Sequence, residues 1–183
     1  MSTCAQQRRP GVRDVFCGLA GWLTAACWAF PLNLDNTVMQ TKVRDREAGL
    51  LHLIVYEAHG PTLDERHLVR NDTGKPDARV HATLTDAGDG TYLLQLQSQD
   101  LGTADHYRAH IQVELPKESC YSGYWYLTDL TVLQDDLVTG ARPIVYNAGD
   151  RSIDVSYHRA QRGPMRFTQG QMRLSFRVDQ MCF

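Results

Sequence analysis

The chain has 183 residues, 43% of them hydrophobic, and a formal net charge of −2. That is enough apolar content for one ordinary domain, or at most two small ones, to bury a core. The near balance of charge, with arginines scattered along the chain, excludes the basic stripe that tracks a nucleic-acid backbone, so no nucleic-acid partner is expected.

Residues 1–29 stand apart. Arg8, Arg9 and Arg13 precede a charge-free run over residues 15–30, and Cys27-Trp28-Ala29 places small residues where a signal peptidase needs them. A secretory leader is expected, leaving a mature chain of residues 30–183 without a membrane span. Retention of the segment as an anchor and lipidation at Cys27 are the alternatives, although the run is shorter than the ~20 apolar residues of a spanning helix. Cleavage removes Cys4, Cys17 and Cys27. Cys120 and Cys182 remain, in a chain bound for an oxidising extracellular or periplasmic compartment. A single disulfide is the simple reading, two free thiols the other. The bond would close a loop of about sixty residues and contribute ~4 kcal/mol.

The rest of the chain is expected to be strand after strand. Residues 38–43 form a first strand and residues 50–56 a buried one, aliphatic on both faces. A long polar connection over residues 60–77 has room for a helical turn at residues 63–69. It also holds Asn71-Asp72-Thr73, a glycosylation acceptor if the host is eukaryotic. Val80, Ala82 and Leu84 begin the strand that enters a hairpin at Asp89-Gly90, a pair suited to a tight reversal with positive φ. After it Tyr92, Leu94 and Leu96 alternate with Leu93, Gln95 and Gln97. Beyond a polar turn around Gly102, Tyr107, Ala109, Ile111 and Val113 alternate with Arg108, His110, Gln112 and Glu114, the period of a strand with one buried face. Residues 124–133, 144–146, 153–157 and 172–178 are the remaining strands. Short strands at this spacing, with no long amphipathic helix, argue for an all-β antiparallel sandwich.

The run Asp86-Ala87-Gly88-Asp89-Gly90-Thr91-Tyr92, with the alternating residues up to Val113, resembles the latter half of a filamin-type immunoglobulin-like repeat, where such a turn leads into two adjacent strands. Residues 53–62 (LIVYEAHGPT) are similar to the strand ending in Gly-Pro of those repeats. Residues 122–132 resemble the S-G-x-W-x-L-T strand of bacterial extracellular immunoglobulin-like domains. The likeness spans about half of the chain. It implies an immunoglobulin-like sandwich, with residues 143–183 either extending the same sheets or forming an appended strand layer. It also implies a partner that adds a strand to a sheet edge; the matching edge is residues 50–56, with Leu50, His52, Ile54 and Tyr56 reading the partner.

No motif of nucleophile, base, phosphate loop or dinucleotide binding is present, so a non-catalytic module is expected, with a small secreted enzyme the remote alternative. No cofactor and no metal are expected. His106 and His110, four apart on a strand, lie ~13 Å from each other, and His81, His110 and His158 fall on polar faces as solvated side chains. Asp129, Asp135 and Asp136 could hold calcium but read better as a charged turn. The aromatic cluster Tyr121, Tyr124, Trp125 and Tyr126 is the best surface candidate. Alternation sends Trp125 to the face opposite Tyr124 and Tyr126. If one face is exposed, the cluster becomes a platform for a protein partner or, as the runner-up, for a glycan.

Overall fold

Asp89 and Gly90 have φ of 55° and 72°, the double positive φ that lets a two-residue turn follow the twist of the strands it joins. The Asp86 carboxylate accepts from the Gly88 amide at 2.7 Å and steadies the approach to the turn. The computed structural model describes residues 32–47, 50–63, 68–71, 80–99, 101–115, 123–149, 151–159 and 165–182. Residues 1–29, expected as a leader, and Cys120 and Tyr121 lie outside the described residues, as do Asp72 and Thr73 of the glycosylation tripeptide.

The strands, in chain order, are β1 (Asn33–Glu47), β2 (Leu50–His59), β3 (Thr62–Leu63), β4 (Leu68–Asn71), β5 (Val80–Gly88), β6 (Thr91–Ser98), β7 (Thr103–Ala104), β8 (His106–Glu114), β9 (Gly123–Asp135), β10 (Val138–Thr139), β11 (Pro143–Asn147), β12 (Ser152–His158), β13 (Met165–Phe167) and β14 (Gln171–Cys182). There is no helix among the described residues, and so none long and apolar enough to cross a membrane. A six-stranded sheet has the order β11-β12-β8-β1-β2-β4, a five-stranded sheet β3-β5-β6-β14-β9, and β10-β13-β7 form a small third sheet. All pairings are antiparallel.

The two large sheets bury their inner faces in one core. Met39, Thr41 and Val43 of β1 lie opposite Ile111, Ala109 and Tyr107 of β8, which in turn face Ile153, Val155 and Tyr157 of β12. The other sheet contributes Leu84, Leu94, Leu174 and Phe176, with Tyr92 stacked on Phe176 at 5.6 Å. Each such side chain contributes about 1.5–3 kcal/mol on burial. Specific bonds tie the sheets together. The Leu32 amide donates to the Tyr92 hydroxyl at 2.8 Å, and the Tyr157 hydroxyl donates to Asp135 at 2.7 Å.

The helical turn expected over residues 63–69 is absent from its described ends: Leu63 belongs to β3, and Leu68 and Val69 to β4, which pair with β5 and β2, while residues 64–67 lie outside the described residues. Strands β6 and β8, neighbours in the filamin-type pattern, lie in opposite sheets, and the chain crosses between them through β7. From Pro143 onward, β11 and β12 extend the six-stranded sheet beyond β8, β14 lies between β6 and β9, and β13 joins the small third sheet.

Candidate functional site

The edge anticipated for partner binding is not open along its length. Ile54, Val55 and Tyr56 of β2 pair with β1 on one side and with β4 on the other, so those backbone groups are already engaged. Tyr56 itself is buried in the core. Alternation from Val43 places it there, opposite Thr41. Leu50 and His52 pair with Glu47 and Asp45 of β1; their side chains, and that of Ile54, lie outside the described residues. Asn71 ends β4.

The strands that do end their sheets on one flank are β9 and β11, and they lie beside each other. The Asn147 side-chain amide on β11 donates to the Leu127 carbonyl of β9 at 3.1 Å. Trp125 is only 6% exposed and faces the core, so it leaves the surface cluster. Tyr124 and Tyr126 point the other way. Tyr124 is 47% exposed, and its ring centroid is 5.7 Å from that of Tyr126 with the planes tilted by 51°. Met181, across from Tyr124 on β14, carries its thioether 3.7 Å from the Tyr124 hydroxyl. On β11, Ile144 and Tyr146 are 54% and 45% exposed.

Beside Tyr146 begins a polar network on the outer face of the six-stranded sheet. Across the strands Tyr146, Asp154, His110, Gln40 and Glu57 form one row. The Asp154 side chain is 1% exposed although it points away from the core. Arg108 clamps it from Nε and Nη2 at 2.8 and 2.7 Å, and His110 Nδ1 lies 3.0 Å from the same carboxylate. Burial would raise the Asp154 pKa, but the hydrogen bonds from Arg108 and His110 outweigh it and hold the carboxyl below its ordinary range. Those bonds in turn raise Arg108. The arrangement fixes a guanidinium beside an exposed tyrosine.

On the same face His106 stacks on His158, ring centroids 4.3 Å apart. Burial first, then His158, Arg44 and Arg108, push His106 down to about 4. The outer position of His110 and His158 follows from alternation; their gathering with Arg44 and Arg108 does not, because β1, β8 and β12 come from three distant parts of the chain. The Asp135 carboxylate receives Tyr157, and that of Asp136 receives the Gln171 amide at 3.1 Å. Asp129 takes a φ of 53° on β9. Among the described residues no three His, Cys, Asp or Glu side chains converge as metal ligands. Cys182 ends β14, opposite Gly123, but its proposed partner Cys120 is outside the described residues. No family model matches the chain, and neither does any curated protein or solved structure.

Proposed function

We propose that this chain is a secreted or periplasmic, non-catalytic binding module of immunoglobulin-like kind that recognises a protein partner along the flank formed by β9 and β11. One observation carries the reading. Of the seven large apolar side chains exposed among the described residues, Tyr124, Val132, Leu133, Ile144 and Tyr146 lie on these two strands and Met181 faces Tyr124 from β14; only Leu101 lies elsewhere. Such a gathering of aromatic and aliphatic groups marks an interaction surface, whereas scattered single residues need no explanation.

Strand addition fits β11 better than β9. The Ala148 amide donates to the Ser152 carbonyl, so by alternation Ile144 and Tyr146 bond to β12 while the backbone of Val145 faces outward. On β9 the turn at Asp129 and the side chain of Asn147 interrupt the edge. The immunoglobulin-like reading rests on two antiparallel sheets over one core, and the crossover between β6 and β8 is its main departure from the filamin-type pattern. A glycan is the second reading, favoured by Tyr124 and Tyr126 on one face, although their tilt makes a poor plane for a sugar ring.

The test is crosslinked co-purification from the source, with Tyr146→Ala, Tyr124→Ala and Val145→Pro beside a Leu101→Ala control. The expected result is loss of a reproducible protein partner from the first three and its retention in the control. Proline at Val145 removes an outward N–H and spares the ladder to β12, so its loss of binding identifies strand addition. Equal recovery with every variant would overturn the proposal.

A further inference from the structure

The outer face of the six-stranded sheet holds a row of basic side chains. In register across the outer face of the six-stranded sheet stand His158, His106 and Arg44, on β12, β8 and β1. Arg142 directly precedes Pro143, which pairs with Tyr157, and so lies at the His158 end of the row. Cross-strand neighbours are ~4.8 Å apart, so the row places four basic groups within about 15 Å. The next row adds Arg108 and Lys42.

Among the described residues the nearby carboxylates are already committed. Asp105 receives Arg159 at 2.7 Å, and Asp154 is clamped by Arg108 and His110. Among the described residues neither Arg44 nor Arg142 has an acidic partner. We propose that Arg142, His158, His106 and Arg44 form a binding site for a sulfate- or phosphate-type oxyanion, seated over the stacked imidazoles and held by the two flanking guanidiniums.

Burial is the first cause that keeps a proton off His106; the positive charges around it come second, and they attract an anion. His106 is neutral at pH 7, with its pKa at about 4. The groups facing it are Arg44 from β1, His158 from β12, Arg108 on its own strand, and the Asp105–Arg159 pair at the strand end. A bound oxyanion offsets the charge of Arg44 and Arg108 and stabilises the imidazolium. Binding therefore takes up a proton, and affinity rises as the pH falls from about 6 toward 4. A divalent cation would meet the opposite field. Apart from Arg142, which directly precedes β11, the residues of this site come from β1, β8 and β12.

The experiment is a titration of purified protein with sulfate, whose charge is constant over this pH range, followed by NMR of the His106 and His158 ring protons. Saturable shifts at both rings are expected, with the His106 pKa raised by about one unit at saturation and binding about threefold tighter at pH 4.5 than at pH 7. Arg44→Gln should weaken binding about tenfold, and Arg142→Gln likewise. Arg177→Gln, on the other large sheet, should leave it unchanged. Both row arginines are exposed, and amide spectra confirm that each variant is folded. Dextran sulfate compared with free sulfate at equal sulfate concentration separates the two sources: tighter binding assigns the site to a polymer-borne group, equal binding to the free ion. Absence of saturable shifts, or wild-type affinity in both Arg44→Gln and Arg142→Gln, would overturn the proposal.

Discussion

Asp154 lies on the outer face of a sheet and is nevertheless almost fully covered, because Arg108 and His110 close over it. A carboxylate withdrawn from water in this way stabilises the fold only while its donors remain. Asp154→Asn keeps the shape and removes the charge. It is expected to cost about 2 kcal/mol in a urea titration, because it breaks the bidentate pairing and leaves Arg108 without its counter-charge; an unchanged midpoint would show that the clamp is incidental. The outward direction of Asp154 was legible in the alternation of Ile153, Val155 and Tyr157. Its partners were not, since Arg108 is 46 residues away in the chain.

Among the elements, the turns were the most legible and the short strands the least. Asp89-Gly90 announces itself through residue types that tolerate positive φ, a local requirement. By contrast, β7, β10 and β13 are two or three residues long and show no period. The bend before β14 depends on a different glycine. A Cβ at Gly170 would run into the Asp136 carbonyl and the Thr168 hydroxyl, whereas one at Gly90 would meet only the Val178 carbonyl at an ordinary 3.5 Å. Gly170→Ala is therefore expected to cost about 3 kcal/mol through backbone overlap. Gly90→Ala should cost about 1 kcal/mol through its φ alone. Equal thermal shifts for the two variants would contradict this ordering.

For the whole molecule, pH couples to folding through His106. Its pKa is about 4 in the fold against the usual 6.5, so between these values the unfolded chain binds the extra proton. Stability is full above 6.5 and declines as the pH falls toward 4, by roughly 1 kcal/mol once the ring's partial exposure is allowed for. Asp154, with its pKa lowered, loses its contribution only at still lower pH. His106→Phe keeps a ring against His158 and removes the titration. Its urea midpoint should fall less than that of the wild type between pH 7 and pH 4.5, and equal falls would assign the pH dependence elsewhere. By itself the sequence determined that the chain is all-β, where the Asp89-Gly90 reversal sits and which face of Tyr107 to Val113 turns inward. These follow from neighbouring residues, through alternation and turn φ. Only the tertiary structure decided that β6 and β8 join opposite sheets, that β4 covers Ile54 to Tyr56, and that Arg44, His106 and His158 share one face. A period of two separates inside from outside but does not name the neighbouring strand, and that choice rests on pairings between distant segments.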